Sequence, residues 1–545
     1  VLKTKGNELC CFVAIVLYFQ PDGLGLEWKM AQTYINFVRV FVVMAFLWVG
    51  ALFGCGGGIQ QLPGPTPPVP PTPTYQAPTI VPVAGMRGWV EMTLPSDVTS
   101  ADVTDFQGSV GGSDDESLGN QGCTGNVCQL VFPGLRINGS YAVTARYMVG
   151  EAASDASNEA VLDTTLTVSQ YESPAGTLGF AEQFAYGNMN DDGYPDFIAR
   201  GRSGTDSLLL MGGENFPALS ATYAGLHNSF GDDFAFGDVD GDGLDNPVIG
   251  ERWNAATMRG HVYVFDEADQ GGTINAGDAL LSLSDDTDNA ECGGSFAALD
   301  DGNGIADLVI GAGNWDGLTL FGRVYSVDGP LSAAVLLDAS NAIRTGEAGG
   351  DHAGWRVYRA GNVTGASGGA DVALYIRRIS GNDHTFALSN AGTFVTLSHD
   401  AGAASINGGS IGDMNGDGRD EFVLTTWQLP TKKFYIFYDY QDATKRYEID
   451  FNDADCGQGF DGGDYYGTGE RQLLVSCPAD GKVYIYDRTV LGTEPSAPTA
   501  IAAATDELDI AAFAISIVDV NRDTYSDLVI GVPTLGLFGG MQVYK

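Results

Sequence analysis

Aspartate and asparagine alternate with other residues in Asp238-Val-Asp240-Gly-Asp242-Gly243-Leu244-Asp-Asn246, and an apolar run, Pro-Val-Ile-Gly, follows at once. Side-chain oxygens at Asp238, Asp240 and Asp242 could converge on one point, Gly243 permits the tight turn, Leu244 can offer its carbonyl, and Asn246 can close the ring. Carboxylates this close repel one another unless a hard cation lies between them, and a set of oxygen donors of this kind suits calcium. The chemistry expected is therefore cation binding in a loop that feeds a β-strand.

The pattern recurs. Asn188, Asn190, Asp192, Tyr194 and Asp196 repeat it, as do Asp413, Asn415, Asp417, Arg419 and Glu421, and again Asp519, Asn521, Asp523, Tyr525 and Asp527, with each set running into a strand-like stretch. Tyr194, Arg419 and Tyr525 take the place of Leu244, where the main-chain carbonyl is the ligand. A shortened copy places Asp301, Asn303 and Asp307 before Leu-Val-Ile-Gly, and worn copies begin at Asn362 and Asp464. The seven copies recur at a spacing of roughly 50–60 residues, the mark of a repeat architecture. The spacing resembles the first part of an EF-hand loop, but a strand and not a helix follows. About four calcium sites are expected, because charge count tunes affinity. The loops of Asp238, Asp413 and Asp519 are the strongest and the Asn188 loop is weaker. The Asp301 loop is intermediate, and the loops of Asn362 and Asp464 are expected to be empty.

With Phe230-Gly231, Gly311-Ala312-Gly313, Gly531-Val532-Pro533 and Cys477-Pro478 beside them, these loops resemble FG-GAP repeats, the units of the propeller at the head of integrin α-chains and of related bacterial surface proteins. The resemblance covers about Leu166 to Lys545. It implies an all-β fold with a seven-bladed β-propeller over 168–545, each blade of four strands with its calcium loop between the first and second. Third strands read as Gly260–Asp266, Gly322–Asp328, Lys433–Tyr438 and Gly481–Asp487, and the chain stops in another, Gly540–Lys545. The segment around Leu166 to Tyr171 is therefore expected to supply the missing outer strand of the last blade.

The chain has 545 residues, 75 of them glycine, and a formal charge of −42, which fits turn-dense β-structure and opposes nucleic acid or an anionic membrane surface as a direct partner. Residues 1–29 read as an extension ahead of a plausible initiator, Met30. Residues 30–54 read as a signal peptide, with Arg39 before an apolar run from Val40 to Gly54, too short to span a bilayer. Leu52-Phe53-Gly54-Cys55 resembles a bacterial lipobox, which implies lipid on Cys55, the membrane reached by that anchor alone, and delivery to the outer membrane or cell surface. Residues 55–85 form a proline-rich linker. Export permits disulfides: Cys123 with Cys128 across a short loop, and Cys456 with Cys477 across one blade edge, leaving Cys292 a free buried thiol.

Period-2 stretches such as Trp89–Leu94 and Tyr141–Val149 make 86–167 a small β-sandwich. Leu135–Tyr141 resembles the tyrosine corner of fibronectin type III modules. Trp253, Trp315 and Trp427 each follow a second strand, with Arg252, Arg377 and Arg378 in comparable places, on the face opposite the calcium loops. Aromatic and arginine side chains gathered on one rim suit a protein or glycan ligand, although tryptophans packed between blades would give the same pattern. The histidines show no metal-ligand spacing and no nucleophile motif is present, so no catalytic residue is assigned. The expected role is a calcium-binding surface adhesion module. The alternatives are a polysaccharide-acting enzyme on the same scaffold and a structural subunit of an envelope assembly.

Overall fold

The computed structural model describes residues 75–545 apart from 85, 136–138, 165–166, 174–179, 201–204, 214–215, 217, 254–257, 269, 301, 315–320, 347–350, 366–370, 377–383, 389–393, 399–403, 428–431, 443, 452–455, 502, 534 and 536–538. It is all-β: nine sheets, antiparallel but for a few added edge pairings, and helix confined to single turns such as Arg488–Leu491.

Two of the sheets come first. One joins Thr79–Pro82, Trp89–Thr93, Val127–Val131 and Gly119–Thr124; the other joins Glu116–Ser117, Asp105–Val110, Ser140–Val149 and Ala152–Ala153, with Ala160–Asp163 on the second side of Ser140–Val149. Alternate residues turn inward, so Val90, Met92, Cys128 and Leu130 meet Phe106, Val143, Ala145 and Tyr147 in one core. Thr79–Pro82, read from sequence as part of the linker, pairs with Trp89–Thr93 instead. Its proline is tolerated because this is an edge strand, where a missing N–H costs no ladder bond.

Seven sheets follow in chain order, each with a first strand leading through a short loop to a second. Those two strands are Gln183–Gly187 and Asp196–Arg200 in the first sheet, Phe230–Gly237 and Asn246–Glu251 in the second, and Cys292–Asp300 and Ala306–Ala312 in the third. They are Arg356–Gly361 and Asp371–Ile376 in the fourth, Ala404–Gly412 and Glu421–Trp427 in the fifth, Phe460–Gly463 and Gln472–Cys477 in the sixth, and Ala514–Val518 and Asp527–Val532 in the seventh. Asn246–Glu251 and Gln472–Cys477 are buried at every position, which is why their apolar residues, Pro247-Val-Ile and Leu473-Leu-Val, do not alternate with exposed polar ones. In the seventh sheet the third strand, Gly540–Tyr544, pairs antiparallel with Val168–Glu172, Val168 facing Tyr544 and Glu172 facing Gly540. The segment before the repeats thus supplies the outer strand of the last sheet, as expected from sequence. Three outer edges gain a further parallel strand from the next sheet: Gly272–Asn275 on Ala218–Ala224, Val335–Leu337 on Leu281–Asp285, and Thr499–Ile501 on Arg446–Phe451.

Consecutive sheets are tied where their first strands meet. Asp233 accepts from the Phe296 N–H at 2.9 Å, the Ser295 hydroxyl accepts from the Val357 N–H at 2.9 Å, Asn407 donates to the Gln458 carbonyl at 2.6 Å, and Asp461 accepts from the Ile517 N–H at 2.8 Å. The glycine ending each Val-Ile-Gly run marks a backbone crossing. A Cβ on Gly250 would strike the Gly293 carbonyl, one on Gly311 the Gly354 carbonyl, and one on Gly531 the Ala181 carbonyl. That last contact joins the seventh sheet to the first. The same two sheets share a core of Phe180, Phe197, Leu210, Val520, Val529 and Met541.

Candidate metal loops and an arginine–tryptophan face

The strand order puts each oxygen-rich loop between a first and a second strand. In the second sheet Asp238 organises the turn: Oδ1 accepts from the N–H groups of Gly241 (2.7 Å) and Asp242 (3.0 Å), and Oδ2 from that of Gly243 (2.9 Å). Gly243, at φ 96°, occupies the left-handed region that the reversal needs. The carboxylates of Asp238, Asp240 and Asp242 bring one oxygen each to within 4.8 Å of the others. Asn246 accepts from the Val239 N–H at 2.8 Å and donates to Glu267 at 3.1 Å. It locks the loop to the strand, leaving the three aspartates as the charged donors.

The fifth and seventh sheets repeat this geometry. Asp413 accepts from Gly416, Asp417 and Gly418, and Asp519 from Asp523 and Thr524. Asp417 and Asp523 cap the Arg419 and Tyr525 N–H groups at 2.9 Å each, while Asn415 and Asn521 accept from Asp417 and Asp523. Glu421 accepts from the Met414 N–H and, on its other oxygen, from the Asn415 amide at 2.9 Å, while Asp527 accepts from the Val520 N–H and keeps its second oxygen unbonded. In the first sheet Asn190 and Asp192 cap the next turn, but both Asp196 oxygens are already bonded, to the N–H groups of Met189 (3.0 Å) and Gly212 (2.8 Å). In the third sheet the organising carboxylate is Asp300, accepting from Gly302 (2.7 Å) and Gly304 (3.0 Å), while Asn303 caps Ile305 and Asp307 caps Gly329. Asp301, expected there from sequence, lies outside the described residues; losing one residue shifts the register so that the strand-terminal aspartate takes the first position. Sequence reading also missed Asp245 and Asp420, one residue before the last loop position. Each accepts from the N–H that opens the preceding sheet's loop, Asn188 at 2.8 Å and Asn362 at 3.0 Å. Their signal was an acid at a position where no ion ligand is needed.

These loops carry more negative charge than their own hydrogen bonds balance. Burial first, then Asp413, Asp417 and Asp420, push the Glu421 carboxyl up to about 8. Burial and the charges of Asp523 and Asp519 raise Asp527 well above the usual carboxylate range, and burial followed by Asp242 raises Asp240. Three buried oxygens at loop positions, Asn188 Oδ1, Asn362 Oδ1 and Asp527 Oδ1, have no hydrogen-bond partner, the second of them in a loop with too few carboxylates to be expected to hold an ion. An all-oxygen donor set, excess negative charge and unsatisfied oxygens are together what a hard divalent cation fits.

The second strand of the second sheet starts at the Asp238 loop and ends at Glu251, so Arg252 and Trp253 lie at its other end, roughly 20 Å away at about 3.3 Å per residue. Trp253 is 43% exposed. The Arg252 guanidinium stands 4.6 Å from the Trp253 ring and 6.0 Å from that of Trp355, and pairs with Asp232 at 3.3 Å. Trp355 and Arg356 open the first strand of the fourth sheet, and with Glu291 and Ser295 they line a cleft of about 20 Å³ beside Arg252. That is no larger than a single water needs, so a ligand there would lie on the tryptophan surface. Behind it Glu251 is fully buried and accepts from the Tyr263 hydroxyl at 3.0 Å and from the His227 N–H at 3.1 Å, with His227 Nδ1 at 3.0 Å. Sequence pattern could not supply Trp355, because its partner Arg252 comes from another sheet, or the Glu251 cluster, whose partners His227 and Tyr263 are brought together only by the pairing of strands within the second sheet. Trp315, Arg377, Arg378 and Cys55 lie outside the described residues, and of Trp427 only the backbone is described.

Cys123 pairs with Cys128 and Cys456 with Cys477, while Cys292 is free, buried, and faces Ala312 where a partner would stand. Burial pushes the Cys292 thiol far up, so it is expected to ignore a thiol reagent in the native protein, and unfolding without reductant is expected to add one equivalent, lost in Cys292→Ala, to the thiols that react. Among the described residues no helix is long and apolar enough to cross a membrane.

No family model and no curated protein matches this chain. Among solved structures it is similar to a protein of unknown function from Bacteroides thetaiotaomicron, at 12% identity over 87% of this chain and 99% of the other, with a TM-score of 0.32. A DUF4784 family protein from Bacteroides caccae matches at 11% identity over 78% and 93%, with a TM-score of 0.27. Likeness at that level identifies neither fold nor function.

Proposed function

We propose that the protein is a calcium-stabilised, seven-bladed propeller of the FG-GAP kind, carried on a fibronectin-like sandwich and a proline-rich linker, lipid-anchored at Cys55 on the outer membrane or cell surface, and acting as a binding module for a protein or glycan. The blade reading is supported by the order of the seven sheets, by the repeated ties between first strands, and by the core shared by the seventh and the first. Calcium is supported by the unpartnered Asp527 oxygen amid Asp519 and Asp523. Its chemistry at these loops is to neutralise converging carboxylates and hold the first-to-second-strand turns; Asp238, Asp240, Asp242, Asp413, Asn415, Asp417, Glu421, Asp519, Asn521, Asp523 and Asp527 would hold it, with Asn188, Asn190 and Asp192 a weaker set.

The observation that carries the binding role is the exposed Trp253 with Arg252 stacked behind it, at the strand end opposite the metal loops. A large aromatic surface held rigid by a cation on its inner face is a ready stacking platform for a sugar ring or an apolar side chain. An array of glycans and matrix proteins, probed with the protein in millimolar calcium, tests this. Trp253→Ala is expected to weaken the ligand found by about tenfold or more. Binding that is indifferent to Trp253→Ala and Trp355→Ala would remove this face, and no binding by the folded protein would leave a dedicated envelope partner as the reading.

A further inference from the structure

The loop at Asp519 differs from the others in what covers it. The sandwich lies against it through Arg87, Gly88, Trp89 and Phe132. The Arg87 N–H donates to Asp523 Oδ2 at 3.0 Å, the Trp89 indole N–H donates to the Asp523 carbonyl, and the Tyr525 hydroxyl donates to the Phe132 carbonyl. Arg87 Nη2 donates to the Tyr465 carbonyl at 2.7 Å and the Ser526 carbonyl at 3.3 Å, with its guanidinium 4.4 Å from the Tyr525 ring centre. Trp89, Val131 and Tyr525 bury one another. Gly88, at φ 75°, has no room for a side chain, since a Cβ there would lie 2.7 Å from the Tyr525 ring. As a result Asp523 is 0% exposed, whereas its counterparts Asp242 and Asp417 in the sister loops are open to water; Asp527, at 1%, is as buried as Asn246 and Glu421 at the same position of the other loops.

We propose that this loop is a shared site: cation binding at Asp519, Asp523 and Asp527 and docking of the sandwich are linked, each strengthening the other. The inference rests on the calcium reading above. Docking removes the Asp523 carboxylate from water beside Asp519 and the already buried Asp527, whose Oδ1 finds no protein donor in the docked arrangement. The Arg87 guanidinium buried at the junction offsets only one of the three negative charges, and burying the remaining like charges is costly, so a divalent ion that neutralises them favours the docked state. In the other direction, the Arg87 N–H and the Tyr525–Phe132 bond hold the Asp523 carboxylate and the Tyr525 main chain in place before an ion arrives, which lowers the ordering cost of binding. Linkage requires the same factor both ways. Trp89 is the positioning residue, acting through its indole N–H on the Asp523 carbonyl.

Hydrogen exchange of the full chain, read together with calcium counted by equilibrium dialysis, tests this. On removing calcium, the Arg87 and Gly134 amides, which donate across the junction to Asp523 and Gly467, are expected to exchange about tenfold faster or more. The sandwich strand Val127–Val131 keeps its protection. Asp519→Asn reproduces that change in calcium and Asp413→Asn does not. Trp89→Ala, a side chain that faces the junction and not the Val90–Met92 core, weakens one bound ion about tenfold. Junction amides indifferent to calcium, in a protein whose Asp519→Asn variant has lost one ion, would overturn the linkage while leaving the calcium reading intact. An Asp519→Asn variant that loses no ion would overturn both.

Discussion

Raising free calcium from zero to about 10 mM is expected to raise the melting temperature by roughly 5–10 °C. Extracellular oxygen-donor sites bind at about 10⁻⁴–10⁻³ M, so each filled loop adds about 1.4–2.7 kcal/mol at that concentration. Three loops add about 4–8 kcal/mol, set against an unfolding entropy near 0.8 kcal/mol/K for a body of about 380 residues. Magnesium at the same concentration is expected to do much less, since it demands a smaller and near-octahedral shell. Scanning calorimetry in each ion checks both statements. An equal shift with both ions would indicate screening of the −42 charge and not site binding.

Glu421→Gln is expected to change sign with calcium. In the cation-free protein burial and three neighbouring aspartates hold Glu421 near 8, above the value of 4.5 it has when unfolded. A folded state that binds the proton more tightly than the unfolded state loses stability as pH rises from about 4.5 to about 8; the loss is on the order of 3 kcal/mol by pH 7. Below pH 4.5 the group is protonated in both states and its contribution is fully present. The amide cannot ionise, so the variant is expected to be more stable than the parent in calcium-free buffer at pH 7 and to flatten the pH dependence between those limits. In saturating calcium the order reverses, because the variant has lost a charged ligand and binds its ion about tenfold more weakly or worse. Urea unfolding of both proteins across pH, with and without calcium, reads all four states. A variant less stable in both conditions would show that Glu421 acts only through the Met414 N–H and the Asn415 amide.

The parts legible in sequence are those that depend on local spacing. Alternate oxygens followed by glycine and an apolar run located the turns, because Asp238, Asp413 and Asp519 bond to N–H groups only three to five residues on. The pairing of Val168–Glu172 with the last strand followed from an edge that would otherwise be open. What sequence could not show depends on partners far along the chain. The sandwich meets Asp523 and Tyr525 about four hundred residues away, with no repeat to announce it. Trp355 looked like any residue before a strand until Arg252 came to lie between it and Trp253. Asp300 was overlooked because a one-residue deletion moves the first ligand back onto the strand end. Pro82 argued for a linker, and only the edge position of its strand makes it compatible with a sheet.

The most direct test of the central claim, that the repeated loops are calcium sites holding adjacent strands, is to count calcium per chain by equilibrium dialysis. The measurement would use the parent protein and a variant carrying Asp238→Asn, Asp413→Asn and Asp519→Asn. The account predicts about four ions for the parent at millimolar calcium and about one for the variant, retained at the Asn188 or Asp300 loop. A folded parent that binds no calcium, or a variant that binds as many ions as the parent, would contradict it.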